Sequence, residues 1–315
     1  SMFRQYCFRN RHYIKKITET LDLKAYDAVI VENNMSLLEK LSEVMGEEFE
    51  RKCMYHMHSN LVDNEEMIPY LARCRKILAV SDYVKDHLYQ TVPQLQNTEI
   101  VKVTNGIRGW TYSTEERQSL REQMRDRYHV GEEETIYLFA GRVSPEKGVL
   151  EMTRAFRAVL PRLRHKSRLF IVGSASSGSD KESYYYRAVK KEAAQSPESI
   201  ILTGYINHED VAKYHVMADA QIVPSIMDDP APLTVLEGMS MGNFLLLSKA
   251  GGIPEYSANY SNKIFFERGD SFEKNIRDAF LSYDQDKAPH RYENSANHFG
   301  EERYYRELAE AVDVS

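Results

Sequence analysis

The stretch "TIYLFAGRVSPEKG", Thr135 to Gly148, decides the fold. Its first half is a short run of β-branched and apolar residues that ends on a glycine, as a buried strand does. Its second half carries Ser144 followed by Pro145, which read as the N-cap and first position of a helix. Strand, tight turn and helix in that order are the repeating unit of a parallel sheet covered by helices. Arg142 and Lys147 flank the expected helix start, where the positive end of the helix dipole disfavours cations. Two cations and a positive helix end together make a receptor for an anion, and for a diphosphate in particular. The plainer reading is a pair of solvated surface charges.

The same alternation extends in both directions. Strands are expected at 27–32, 52–57, 76–81 and 99–104, then at 135–141, 168–173, 199–204, 220–225 and 243–248. Helices are expected at 111–128, 145–160, 182–195, 208–218 and 232–241, and the tail "GEERYYRELAEAVDVS" reads as an amphipathic helix. Between 107 and 133 the strand pattern gives way to polar, charged sequence, which sets the domain break there. The expected fold is α/β, with two Rossmann-like parallel-sheet domains: residues 1–107, residues 108–298, and a C-terminal helix over 299–315 that packs back on the first domain. In open parallel sheets ligands bind beyond the C-terminal strand ends, so the cleft between the domains is the expected site.

Composition narrows the function. The chain has 315 residues, 42% apolar and 28% charged, enough for two globular domains. A net charge of −6 gives no basic footprint for nucleic acid. Cys7, Cys53 and Cys74, an odd number without a C-x-x-C pair, argue against a disulfide framework or a zinc site and for a reducing, cytoplasmic setting. No apolar run approaches the roughly 18 residues of a membrane span. The segment 3–16 alternates basic and aromatic residues, which suits peripheral contact with an anionic membrane surface as well as an ordinary amphipathic helix.

Two further stretches carry polar chemistry at strand ends. In "PSIMDDPAPLTVLEGMSMG", Asp229 lies on a Pro-rich loop and Glu237 about two turns along, both able to accept hydrogen bonds from a polyhydroxylated ligand. An acidic loop followed by an ordinary helix glutamate is an equal alternative. In "SKAGGIPEY", Gly251 and Gly252 let the backbone approach a ligand and present N–H groups, or simply make a tight turn. His56 and His58 in "MYHMHSN" share one face of a strand about 6.5–7 Å apart. With no Cys, Asp or Glu at ligand spacing in the local sequence, the expectation is a packed His56, a cleft-facing His58 and no metal. "GSASSG" continues Ser179-Asp180, so it is no Walker motif, and reads as a loop at the cleft edge.

In order, "VSDYVKDHL", "VTNGI", "AGRVSPEKG", "TGYINHEDVAKYHVMADAQIVPS", "DDPAPLTVLEGMSMG" and "GGIPEY" resemble the motifs of the retaining glycosyltransferases of family 4, which have the GT-B fold. The resemblance implies a bacterial type of enzyme that moves a sugar from a nucleotide-diphosphate sugar, a UDP-sugar above all, to a saccharide or lipid-linked acceptor in polysaccharide or glycolipid assembly, without a metal or other cofactor. By that resemblance Arg142 and Lys147 bind the donor diphosphate, Asp229 and His58 contact the transferred sugar, and Glu237 takes the ribose. Gly251, Gly252, Gly141, Asn105, Gly106, Pro232 and Leu233 complete the donor site. Two departures stand out. Members usually carry glutamate where this chain has Asp229, and they begin with a strand and Gly-rich loop ahead of the part matching "YDAVIVENN", so the N-terminal domain is expected to be incomplete. The alternatives are a nucleotide-sugar 2-epimerase of the same fold, which needs no acceptor, and a non-catalytic nucleotide-sugar-binding partner of another transferase.

Overall fold

A computed structural model describes residues 12–60, 65–110, 112–175, 183–283 and 300–313, save 14, 18 and 21. The chain divides into two compact units, Ser1–Gly106 with Glu301–Ser315, and Ile107–Gly300. Most of the basic-aromatic segment 3–16 and the second half of the loop "GSASSG" lie outside the described residues.

The first unit holds a parallel sheet of β1 (Val29–Glu32), β2 (Cys53–Met57), β3 (Lys76–Ala79) and β4 (Ile100–Lys102), in that order. All five residues of β2 are buried, so it reads as a continuous apolar run rather than an alternating one. The helix Glu301–Val312 belongs to this unit, where Ala311, Leu308 and Tyr304 pack with Leu78 and Val103. The register pairs Glu32 with His56 at the ends of β1 and β2.

In the second unit β5 (Thr135–Ala140), β6 (Ser167–Val172), β7 (Ile200–Gly204), β8 (Ala220–Val223), β9 (Phe244–Ser248) and β10 (Lys263–Phe266) form one parallel sheet. Their order is β10-β9-β8-β5-β6-β7. From β5 the chain winds outward through β6 and β7, then returns to the other side of β5 as β8. The strand order therefore reverses between β5 and β8, and the loops that leave these two strands diverge at the place where open α/β sheets bind ligands. Those loops are Gly141–Gly148 and Pro224–Pro232.

Sequence reasoning located nine of these ten strands and missed β10, whose four residues "KIFF" are largely half-buried at the sheet edge. The helix Phe272–Ser282 was not foreseen either. A second correction concerns the opening stretch. Pro145–Lys147 is a single 3-10 turn, Gly148 follows in the left-handed region, and the α-helix runs only over Val149–Val159.

A buried carboxylate fixes the junction of β5 and β8. Asp219, fully buried, accepts from the backbone N–H of Ile136 at 2.6 Å and from Arg121 Nη2 at 2.8 Å, and its own N–H donates to Ile136 O at 2.8 Å. A charge so placed persists only because it is paired and hydrogen-bonded. At the entry to β5, Arg168 grips Glu134 with two nitrogens, Nε to Oε2 at 2.7 Å and Nη2 to Oε1 at 3.2 Å, while its other bonds reach Tyr128 O and His129 O.

Burial pushes the Glu134 carboxyl up, but the Arg168, Gly131 and Lys166 hydrogen bonds outweigh it and hold the pKa down at about 2. A depressed carboxyl contributes its stability above the ordinary range and loses it as pH falls toward the folded value. Glu134→Gln is therefore expected to cost about 1–3 kcal/mol at pH 7 by urea unfolding. Relative to the parent, that deficit shrinks as pH falls from about 4.5 toward 2, and roughly half or more of it is gone by pH 3. A deficit unchanged at pH 3 would refute the role given to the carboxylate.

Candidate functional site

Two cavities open at the C-terminal ends of the strands in the second unit and share Gly141. One, of about 210 Å³, is lined by Phe139, Gly141, Lys147, Ser225, Asp229, Pro232, Leu233 and Thr234 among others. The other, of about 260 Å³, is lined by Gly141, Arg142, Gly173, Tyr205, Ile206 and His208 among others. The first holds a cation and a carboxylate, and the second joins the Arg142 cation to glycine backbone, an aromatic ring and an imidazole.

Lys147 is brought to the first cavity by a close approach of two loops. Glu146 O accepts from the N–H of Ile226 at 2.9 Å and of Met227 at 3.3 Å, laying the turn after β5 on the loop after β8. Gly148 has φ +65°, and a Cβ there would meet Pro224 O at 2.1 Å. Only glycine fits. Lys147 Nζ then donates to Asp229 Oδ2, a largely buried pair. Arg142 Nη2 bonds Glu146 Oε1 at 2.7 Å, with the guanidinium mostly exposed.

The helix start that "SPEKG" implies does not face an anion in the expected way. The N–H of Leu150 in the first turn of Val149–Val159 donates to Tyr185 Oη at 2.9 Å, so a side chain caps part of that end. The charge of this turn is that of Arg142 and Lys147, paired with Glu146 and Asp229. The helix that opens on the cavity is Leu233–Ser240, whose N-terminal residues Pro232, Leu233 and Thr234 line it. Gln221 on β8 positions that helix: its Nε2 donates to Thr234 O and Oγ1, at 2.8 and 2.7 Å, and Thr234 Oγ1 donates to Ala140 O at 3.1 Å.

Glu237 lies one turn deeper on the same helix. His208 Nε2 is 3.1 Å from Glu237 Oε1, and His215 Nε2 stands 3.9 Å from Oε2. Burial lowers the pKa of His215, which is fully enclosed, and the Glu237 charge offsets only part of that. Asn243 gives both its amide hydrogens to carbonyls, so its Oδ1 accepts from His215 Nδ1 at 3.0 Å. Trp110 packs on both imidazoles, ring centroids 5.2 Å from His208 and 5.8 Å from His215. Sequence reasoning missed Trp110, His208, His215, Gln221 and Thr234. A signal existed for two of them: His208 and His215 are seven positions apart on one helix, hence on one face.

The glycine pair serves the protein before any ligand. Gly251 N–H donates to Asp228 Oδ1 at 2.8 Å and Gly252 N–H to Asp229 O at 2.7 Å. Cβ atoms at the two positions would meet Asp229 N at 2.7 Å and Pro230 O at 2.3 Å. These N–H groups, expected to face a ligand, instead hold the acidic loop. Arg268 braces it from the other side, with Nη2 2.8 Å from Asp228 Oδ1 and Nη1 2.9 Å from Ile226 O.

The remaining expected site residues belong to the first unit. Asn105 O accepts from Arg303 Nη2 at 2.9 Å, and Gly106 closes that unit's first segment. His56 and His58 require a correction. A carboxylate does stand at ligand distance, from the neighbouring strand: Glu32 Oε2 is 3.0 Å from His56 Nδ1 and 2.8 Å from His58 Nε2. Partial burial raises the Glu32 pKa, but the two imidazole hydrogen bonds prevail and bring it to about 2. His56 is packed, as expected, and His58 is half-buried.

Two parallel-sheet α/β units, one with paired cations and carboxylates at its topological switch point, fit the GT-B fold. Residues 120–299, more than half of the chain, match the family Glycosyl transferases group 1, and the chain belongs to it. The lipopolysaccharide 1,2-N-acetylglucosaminetransferase of Salmonella typhimurium is 27% identical over 248 residues, 77% of this chain and 60% of the relative. Glycosyltransferase MJ1607 of Methanocaldococcus jannaschii is 24% identical over 214 residues, 67% of this chain and 52% of the relative. The chain thus spans little more than half the length of these relatives. Among solved structures, Anabaena HepE in complex with UDP superposes with a TM-score of 0.71 at 17% identity, covering 96% of this chain and 82% of that one, which supports the fold.

If the packing of the two loops creates the site, Gly148→Ala should be severe. We expect a loss of about 2–4 kcal/mol in urea unfolding, from a left-handed backbone and a backbone clash together. Gly204→Ala, at φ +73° with nothing within 4 Å, should cost only about 1–2 kcal/mol. Equal losses would show that the Pro224 contact does not constrain the turn.

Proposed function

We propose that this glycosyltransferase is a retaining, metal-independent enzyme that moves a hexosyl group from a UDP-sugar to a saccharide or lipid-linked acceptor. The observation that carries the reading is the Lys147–Asp229 pair inside a cavity of about 210 Å³, beside a second cavity edged by Arg142 and His208. The complexes of Anabaena HepE with UDP and with UDP-glucose, and the lipopolysaccharide 1,2-N-acetylglucosaminetransferase among the relatives, support the choice of donor and acceptor class.

On this reading the diphosphate lies along Arg142 and Lys147. Its negative charge grows as the glycosidic carbon becomes cation-like, and fixed cations stabilise that growth without reorganisation. The acceptor hydroxyl attacks from the leaving-group face and passes its proton to the departing phosphate oxygen, so no protein nucleophile is required. Asp229 accepts from a hydroxyl of the transferred sugar, His58 contacts the same sugar, and Glu237 takes the ribose. In the ligand-free protein His208 occupies the Glu237 oxygen that the ribose would use. The basic-aromatic segment 3–16 is assigned to weak peripheral attachment to anionic membrane. Among the described residues no helix is long and apolar enough to cross one.

The roles separate by substitution. Lys147→Ala should lower turnover by about 10²–10³ with a smaller effect on donor binding, because the lost charge matters most as the diphosphate departs. Asp229→Asn should reduce transfer while leaving calorimetric binding of bare UDP nearly unchanged, whereas Glu237→Gln should weaken UDP itself. Equal weakening of UDP by the two carboxylate variants would overturn the division of roles, and no effect from any of the three would displace the site. Transfer should also persist in EDTA. Complete loss restored by Mn²⁺ would refute metal independence.

A further inference from the structure

At the ends of β1 and β2, Glu32, His56 and His58 bring three ligand-type atoms within 4.8 Å of one another, the only such cluster of His, Cys, Asp and Glu among the described residues. We infer that this cluster is a binding site for a divalent transition metal, with Zn²⁺ the natural occupant. Two imidazoles and one carboxylate are a donor set that suits zinc, with a fourth position open to water or a ligand oxygen.

The spacing fits the ion. Tetrahedral zinc with bonds of 2.0–2.2 Å sets neighbouring donor atoms about 3.3 Å apart. Here Glu32 Oε2 lies 3.0 Å from His56 Nδ1 and 2.8 Å from His58 Nε2, with all three donors within 4.8 Å of one another, so admitting an ion takes a shift of the glutamate and an adjustment of the imidazole pair. Glu32 has the freedom to make it, being more than half exposed.

The backbone holds the two strand ends together. Asn33 N–H donates to His56 O at 2.9 Å, and Asn33 Oδ1 accepts from His58 N–H at 3.0 Å and Ser59 Oγ at 3.1 Å. Asn33 adopts φ +46° to do this, a left-handed conformation that asparagine tolerates better than most residues. His56 presents one nitrogen to the cluster. Its side chain is fully buried and Nε2 has no hydrogen-bond partner, so Nδ1, aimed at Glu32, carries its polar contact. A metal at Nδ1 would take the place of the contact to Glu32 and leave the ring proton on Nε2. On the transferase reading, zinc and the donor sugar compete for His58.

The test uses the whole chain, freed of metal by EDTA and dialysis, titrated with Zn²⁺ in competition with a chromogenic chelator. One equivalent should bind saturably, and Co²⁺ in its place should show the strong visible bands of a low-coordinate N/O site. An outer-shell partner alone is worth about 10–100-fold in zinc affinity, so loss of a ligand in His58→Ala or Glu32→Ala should weaken binding by at least about tenfold. His87→Ala, on the helix Asp82–Thr91, should bind as the parent does. The buried His56 is left in place to avoid a folding defect, and circular dichroism verifies the folds of all variants. Absence of a saturable equivalent, or equal binding by His58→Ala and Glu32→Ala, overturns the proposal. Because no donor or acceptor enters the experiment, its failure leaves the transferase reading intact. A zinc-binding chain that, once freed of metal, transfers no sugar overturns only that reading.

Discussion

The catalytic-type geometry of the second unit depends on one close approach, the turn after β5 lying on the loop after β8 with no room for a side chain at Gly148. The charged pair of the 210 Å³ cavity follows from it. The turn brings Lys147 to Asp229, and the loop it rests on is pinned by the Gly251 and Gly252 N–H groups and by Arg268. Beneath the contact, Asp219 ties the starts of β5 and β8 together, so the loops leave from strands whose separation is fixed. A site assembled in this way is rigid for a local reason. Each loop is the other's support, and backbone carbonyls rather than flexible side chains set the distance.

How much of this the sequence reveals depends on whether the information is local. Strands buried on both faces announce themselves because they have to be apolar over their whole length, as Thr135–Ala140 is. "KIFF" is short and only partly buried, but so is Ile100–Lys102, which was located, so length and burial alone do not account for the miss. The two cations and Asp229 are visible because each follows directly from a strand end. Their partners are not, because pairing crosses the chain: Lys147 to Asp229 spans 82 positions, and His208 to Glu237 spans 29. The same reason hid Glu32, whose meeting with His56 depends on strand register and not on any spacing within "MYHMHSN". The glycine pair misled in another way. Close backbone approach was foreseen correctly, but its object is the protein's own acidic loop.

The ion pairs of the site bear on the diphosphate binding proposed above. Arg142 is neutralised by Glu146 and Lys147 by Asp229, so neither cation stands bare. The two pairs differ in cost of opening. Arg142–Glu146 is exposed on the arginine side and lies between residues four apart, a pair worth a few tenths of a kcal/mol. A dianionic ligand displaces it readily. Lys147–Asp229 is mostly shielded from water, and breaking it without replacement would leave a charge stranded. On the transferase reading proposed above, a nucleotide-sugar would supply the replacement on both sides, phosphate oxygens for Lys147 and sugar hydroxyl donors for Asp229. The pair would then answer to a ligand that brings an anion and hydroxyl donors together, through two groups already held in place.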